Sequence, residues 1–510
     1  MDRDSRTESI WQSNFSPIVR TSMINTEQIF DVLIVGAGIT GLTTALLLQQ
    51  AGKRCVIVEA KKIGFGTSSA TTAHLNTMLD THYYEISRSF GSSGAELMAK
   101  GAKQAINLVF ENVRTYHISC GLKLLDAFLF SESKQQSKNL EYIRKGMKEV
   151  NVEASYTSSV PVPIPFDKAL IIPAQAQFDP VRYLNGLAQA FEAAGGLIVL
   201  NRSINRSTVK DHGDYSIALA GAHEVKARNI VYATHIPPGI SLLNFECAPY
   251  RSYVLAAQID GTNYPEGLVY DMRDPYDYFR TAYISDKRYL MVGGFDHKTG
   301  HGQDTEKVMA QLEVYVRKYY KVISVDYTWS SQYYQSTDGL PYIGRLPGAG
   351  DNTYMATGFS GAGMTLGTLS GKILCDLIIT GESEFEDLLS PSRIKAIAGF
   401  SKFIKENADV VKHFIGDRIA IDDLKEVKEV NCNEGRVVNY EGRRYALYRD
   451  ASGDITLLDP VCPHAKCLVQ WNNAEKSWDC PCHGSRFSVD GCILNGPAVE
   501  PLRKVSLEAL

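Results

Sequence analysis

The chain has 510 residues, of which 44 % are hydrophobic and 22 % charged, and its net charge at neutral pH is −4. That length exceeds one ordinary core, so two or three domains of soluble, globular composition are expected. No basic tract or basic–aromatic alternation points to nucleic acid, and the short charge runs read as solvated faces.

Residues 1–28 are polar and irregular and read as an N-terminal arm. Its first 25 residues hold no basic segment followed by an apolar one. No secretory signal is therefore expected, and the cytoplasm is the default location. Val32 to Gly52 runs 21 residues without a charge, long enough to span a bilayer. Its glycines, threonines and glutamines, and an opening that reads as a strand, point instead to a buried strand–turn–helix, and no membrane span is expected. The pattern predicts a strand over 31–35, a glycine turn, a helix over 42–50 and a strand over 54–59, a βαβ opening.

A mostly helical stretch is predicted over 85–150, then a helix over 180–194 leading into a strand over 197–200. A strand over 225–234 reaches a turn at His235-Ile236-Pro237-Pro238-Gly239. From 251 to about 334 apolar and polar residues alternate, which predicts an antiparallel sheet built as a separate layer. Gly-rich α/β character returns over 339–381, and 391–415 reads as an amphipathic helical connector with Pro391 near its start. Beyond Gly416, short strands and turns such as Glu441-Gly442, Ser452-Gly453 and Asp490-Gly491 predict a small all-β domain.

Gly36-Ala37-Gly38-Ile39-Thr40-Gly41 follows the first strand and opens the first helix. Gly36 makes the tight turn, Gly38 lets backbone approach a pyrophosphate, and Gly41 permits close helix–strand packing. The helix N-terminus offers N–H groups to the anion. Glu59, 18 residues after Gly41 and at the end of the second strand, can accept hydrogen bonds from a ribose. The motif alone does not separate NAD from FAD.

Further segments do. Gly64-Phe65-Gly66-Thr67-Ser68-Ser69-Ala70-Thr71-Thr72-Ala73-His74, Tyr232-Ala233-Thr234, Asp338-Gly339-Leu340-Pro341-Tyr342-Ile343-Gly344 and Thr357-Gly358-Phe359-Ser360-Gly361-Ala362-Gly363-Met364-Thr365 follow in order. With the glycine turn they resemble the D-amino-acid-oxidase-like family of FAD-dependent oxidoreductases (the glycine and sarcosine oxidase type) from about Phe30 to Gly381. His235 stands where that family carries a glycine.

The resemblance implies non-covalent FAD held by Gly36, Gly38, Gly41, Glu59, Thr67, Ser68, Thr72, Ala233, Thr234, Gly358, Gly361, Gly363, Met364 and Thr365. It implies an α/β Rossmann-like FAD-binding part, about 29–90, 170–245 and 336–388. An antiparallel-sheet substrate part, about 91–169 and 246–335, is interleaved with it. No second strand–GxGxxG–helix occurs mid-chain, which favours direct oxidation of a small organic molecule over NAD(P)H. Family members that oxidise amino acids hold the carboxylate with an arginine and a tyrosine, which makes Arg280, Tyr278 and Tyr253 candidates by position. For each of the three a core or surface role is the commoner alternative. The arginine that the family often has before Asp-Gly-Leu-Pro is absent from Tyr334-Gln335-Ser336-Thr337.

Five of the ten cysteines fall between Cys462 and Cys492, and such clustering points to metal before a disulfide scaffold. Cys462-Pro463-His464 is separated by 15 residues from Cys480-Pro481-Cys482-His483. Two Cys-and-His pairs are the arrangement of a Rieske [2Fe–2S] centre, with two thiolates on one iron and two imidazoles on the other. A Cys2His2 zinc site is the alternative, although zinc spacing usually pairs Cys with Cys and His with His.

The segment 417–510 resembles Rieske domains. That resemblance implies a Cys467–Cys482 disulfide bracing the two cluster loops, a sulfide-bonding hydroxyl at Gly484-Ser485 and a covering loop at Gly496-Pro497-Ala498. It also implies His464 and His483 at an exposed cluster end where a partner docks. Phe487 replaces a tyrosine and Lys466 a glycine of the high-potential pattern, with opposite expected effects on potential.

The whole order, 29–388, a linker over 389–416 and 417–510, resembles bacterial FAD-dependent oxidoreductases with a C-terminal Rieske domain. It implies this architecture and electron flow and leaves the substrate open; the expected reaction is oxidation of an amine or amino acid, with electrons passing singly to an acceptor protein. An electron-transfer protein without amine oxidation is the alternative. No facial triad for a ring-hydroxylating oxygenase is evident.

Overall fold

In the computed structural model, residues 6–15, 26–206, 209–241, 243–301, 304–393, 429–440 and 442–506 are described. The uncharged run from Val32 is a strand, Ile29–Val35, a turn, and a helix, Ile39–Gln50. Val32, Leu33 and Ile34 are all fully buried, the signature of a parallel strand covered on both faces. Ile29–Val35 pairs in parallel with Cys55–Val58 on one side and His223–Tyr232 on the other. Leu197–Val199 and Thr353–Thr357 extend the parallel core, and Tyr342–Arg345 closes one edge antiparallel.

Among the described residues one helix, Gly363–Thr380, is long and apolar enough to cross a membrane. It packs face to face on Ile39–Gln50 instead. A Cβ on Gly371 would lie 2.6 Å from Thr43, and one on Gly367 would lie 2.7 Å from Ile39.

The second sheet has nine strands. Its long members, Cys247–Ile259, Lys287–Lys298 and Val322–Ser336, pair antiparallel as the alternation predicts. It departs from the expectation at one seam, where Leu268–Asp271 runs parallel to Lys123–Ser131. That second strand also interrupts the stretch expected to be mostly helical, which resolves into helices Tyr83–Thr115 and Lys134–Glu149 on either side. Two small antiparallel sheets, of three and four strands, form the C-terminal part. The expected connector helix lies mostly in 394–428, outside the described residues.

The arm is more than an extension. Ile10 and Trp11 are buried against Val254, Met291 and Trp329 of the large sheet, and the Trp11 indole donates to Thr71 O at 2.8 Å. The Arg6 N–H reaches Glu475 Oε2 of the C-terminal part at 2.9 Å.

Candidate active site and cluster site

The first strand delivers its chain into Gly36 at φ +109°, where a Cβ would sit 2.6 Å from Ala233 O. A Cβ on Gly41 would lie 2.0 Å from Gly36 O, so the turn admits only glycine there. Glu59 accepts from the Ala37 and Lys61 N–H groups, each at 2.8 Å. Burial raises its carboxyl, and those bonds oppose the shift. The helix beginning at Ile39 has no side-chain cap, and neither has the one beginning at Gly363. Both leave first-turn N–H groups to an anion or a polar ring edge.

A cavity of about 570 Å³ runs between these two helix starts. Gly36, Gly38, Glu59, Thr67, Ser68, Thr72, Ala233, Thr234, Gly361, Gly363, Met364 and Thr365 line it. Gly41 and Gly358 stand behind it and shape its turns. A glycine-lined cradle with a carboxylate at one end and a second helix start at the other fits FAD.

The substrate candidates divide. Tyr278 lines the cavity, whereas Arg280 and Tyr253 do not. Arg280 Nη1 donates to the carbonyls of Thr72, Ala73 and Phe178, and its guanidinium lies 5.1 Å from the Trp11 ring. It ties the flavin cradle to the large sheet from the rear. The Tyr253 hydroxyl meets His297 Nε2 at 2.9 Å in the core.

The residues that do face the cavity at this end are Asn76, Asp80, Tyr270, Tyr276, Asp296 and Tyr333. Asp80 accepts from Tyr276 Oη at 2.7 Å and from the Gly361 N–H at 2.8 Å. Asp296 accepts from Tyr333 Oη at 2.8 Å. Burial pushes the Asp296 carboxyl up to about 6 and raises Asp80 as well.

The two cluster loops are built by local backbone bonds. Cys462 N–H donates to Cys467 O and Lys466 N–H to Cys462 O, and in the second loop Cys480 N–H donates to Ser485 O. Lys466 sits at φ +63°, a left-handed position that favours the glycine the family carries there. His235, the other residue in place of a family glycine, sits likewise at φ +69°. Cys467 and Cys482 form a disulfide. The grouping of Cys467, Cys480 and Cys482 sulfurs within 4.8 Å is therefore no thiolate site, since two of the three are bridged.

The remaining donors fit a Rieske cluster. The Cys462 and Cys480 thiols lie within hydrogen-bond reach and share a proton, which makes one more acidic and the other less. The His464 and His483 rings stand 4.9 Å apart, and all four of their nitrogens are buried with no hydrogen-bond partner. Burial pushes these imidazoles down to about 4 and about 3, so both are neutral and present lone pairs to a metal. Ser485 Oγ accepts from the Ala498 N–H at 3.0 Å, joining one cluster loop to the covering loop.

One expectation is overturned. His464 is 7 % exposed and His483 2 %, because the imidazole end is covered by the flavin-binding half. The Phe245 ring stands 4.8 Å from the His483 ring. Tyr334 Oη donates toward the carbonyls of His483 and Gly496, and Gln332 Nε2 toward Gly484 O. Ile493, Leu494, Asn495, Gly496, Ala498 and Val499 complete the wall of the flavin cavity itself.

Fold and site together define a flavoprotein oxidoreductase with an iron–sulfur domain docked on its cofactor cavity. Residues 31–377 match the FAD dependent oxidoreductase family (DAO), and residues 421–506 match the Rieske [2Fe-2S] domain. The chain belongs to the FAD dependent oxidoreductase family and carries a Rieske domain after it; its cofactors are FAD and a [2Fe–2S] cluster.

It is 32 % identical over 480 residues to the "Putative Rieske 2Fe-2S iron-sulfur protein YhfW" of Bacillus subtilis (strain 168), covering 94 % of each chain. It is 24 % identical to gamma-glutamylputrescine oxidoreductase of Escherichia coli (strain K12), over 74 % of this chain and 90 % of that one. The solved glycine oxidase of Geobacillus kaustophilus shares the fold with a TM-score of 0.59 at 18 % identity, over 72 % of this chain and 99 % of that one.

Proposed function

We propose that this enzyme oxidises a C–N bond of a small amine or amino acid and releases the two electrons singly through its cluster to an external acceptor, in the cytoplasm. Bound FAD would supply hydride acceptance, and the cluster one-electron exchange. The observation that carries the reading is the shared wall: residues 493–496, 498 and 499 of the Rieske part line the cavity that holds the flavin cradle.

The protein's own residues do the positioning. Gly36 and Gly38 admit the pyrophosphate, Glu59 takes the ribose, and Gly361–Thr365 face the ring. Tyr334 and Gln332 hold the second cluster loop against the same sheet that bears Tyr278. Because the imidazoles are covered, the acceptor is expected to approach a different face of the Rieske part. A relative named as an oxidoreductase of gamma-glutamylputrescine supports C–N chemistry.

Anaerobic stopped-flow bleaching of the flavin, compared with turnover on a ferric acceptor, tests the division of labour. Cys480→Ser is expected to leave bleaching intact and to abolish delivery to the acceptor. Wild-type turnover in that variant would remove the cluster from the path.

A further inference from the structure

The end of the flavin cavity away from Glu59 carries two carboxylates beside neutral hydroxyl and imidazole groups, among which His74 Nε2 and Ser331 Oγ have no hydrogen-bond partner. Asp80 and Asp296 bring two carboxylates to it, close enough that each raises the proton affinity of its surroundings. Asp296 Oδ1 and Asn76 Oδ1 are buried and have no hydrogen-bond partner, and the Asn76 residue is only 8 % exposed. Both side chains line the cavity.

Among the described residues, the lysine and arginine that line the cavity are Lys61 and Arg202, and both sit at the other end beside Glu59. His74 lines this end but is held neutral by burial. Arg280 approaches from behind and spends its donors on backbone carbonyls.

Rings complete the enclosure. Tyr276 stands 6.1 Å from both Tyr270 and Tyr278, centroid to centroid, with Tyr333 across the cavity on Asp296. Tyrosine faces attract a cation, and buried carboxylates attract it more strongly. A carboxylate in the same place would meet two like charges and no cation, a juxtaposition that costs several kcal/mol.

We propose that this end of the cavity is an alkylammonium site, and that the substrate is a cationic amine with no carboxylate on the reacting carbon. The proposal rests on the oxidoreductase reading above and narrows its substrate class. Asp296 and Asn76 supply the open acceptors for the ammonium, and Tyr270, Tyr276 and Tyr278 supply its cage.

The test uses the FAD- and cluster-loaded protein under anaerobic conditions and a matched set of probes. Butylamine carries the ammonium, norvaline adds a carboxylate to the same carbon, and pentanoate keeps the carboxylate without the nitrogen. Perturbation of the flavin absorption spectrum reports binding, and bleaching reports oxidation. Butylamine is expected to bind about tenfold or more tighter than norvaline, with pentanoate weakest.

Asp296→Asn is expected to weaken butylamine binding about tenfold while FAD content and the cluster spectrum stay unchanged. Asp80→Asn serves as the second variant if the first fails to fold. Norvaline or pentanoate binding as tightly as butylamine, no spectral response to butylamine, or an unchanged affinity in both variants overturns the site. The two readings fail separately. Butylamine that binds without bleaching keeps the cation site and removes amine oxidation, whereas bleaching by norvaline alone keeps C–N oxidation and removes the cation site.

Discussion

Arg251 and Glu475 form an ion pair across the boundary between the large sheet and the Rieske part, at 3.3 Å, with side chains 0 % and 3 % exposed. Ser330 bridges them, accepting from Arg251 Nε at 2.7 Å and donating to Glu475 Oε1. Removing one partner of such a pair leaves the other charge buried and uncompensated, a loss of about 3–5 kcal/mol. Glu475→Ala is therefore expected to undock the Rieske part. Calorimetry would show it as one unfolding transition splitting into two. An Arg251→Met, Glu475→Leu double variant is expected to recover much of the loss, because the uncompensated charge is gone.

The glycines of the first turn are expected to fail in different ways. A side chain at Gly41 collides with Gly36 O within the turn itself, so Gly41→Ala should lower Tm with or without flavin. At Gly38 the nearest atom is Ser68 Oγ at 3.0 Å, the mobile tip of a side chain on the cavity wall. Gly38→Val should thus keep the fold and lose FAD, read as a colourless but folded protein by circular dichroism. Acid precipitation of the wild type should leave free FAD in the supernatant.

Metal analysis should find about two irons per chain and little zinc, with a rhombic EPR signal after dithionite reduction. Cys462→Ser should abolish that signal while the flavin remains. The Cys467–Cys482 bridge closes a loop of 15 residues, for which chain entropy gives about 3 kcal/mol of stabilisation. A Cys467→Ala, Cys482→Ala variant should assemble the cluster and lose it at a lower temperature, followed by bleaching of the cluster absorbance.

The raised Asp296 carboxyl gives two opposed pH effects. It faces Asp80, Asp277, Tyr276, Tyr278 and Tyr333, none of them cationic. Its folded value of about 6 lies above the ordinary aspartate value of about 4, so the folded state holds this proton more tightly than the unfolded state. Between those two values stability falls as pH rises, and above about 6 the full penalty applies. Asp296→Asn should consequently raise Tm at pH 7–8, measured without substrate. Alkylammonium binding should run the other way, strengthening as pH rises through about 6 and losing that dependence in the same variant.

How much of this was legible in the sequence depends on how far apart the participating residues lie. The cluster ligands fall between Cys462 and His483, and the pyrophosphate turn between Gly36 and Gly41, so spacing alone carried them. Asn76 and Asp80 lie close together, but Tyr276 is 196 positions from Asp80, and the large sheet with the loops at its strand ends brings both groups to Asp296 and Tyr333. Arg280 misled for a physical reason. An arginine two positions beyond a cavity-lining tyrosine shares its face of the strand and reads as a carboxylate ligand, yet it lies one pleat repeat farther along, under the backbone of Thr72 and Ala73. There its donors go to the carbonyls of Thr72, Ala73 and Phe178. Nothing local to His464 or His483 could show that another half of the chain would cover them.

Glu475 also accepts from the Arg6 N–H, a contact between residues 469 positions apart. A ribosome adding about 5–20 residues per second needs roughly half a minute to a minute and a half to cover that distance. Once the chain has reached Ser336 and the large sheet can form, the segment around Trp11 can settle on it, but Arg6 has nothing to close on until Glu475 is made. The last joint of the molecule is therefore set by the clock of translation, and anything that delays the C-terminal hundred residues, iron–sulfur assembly included, delays the fastening of the first ten.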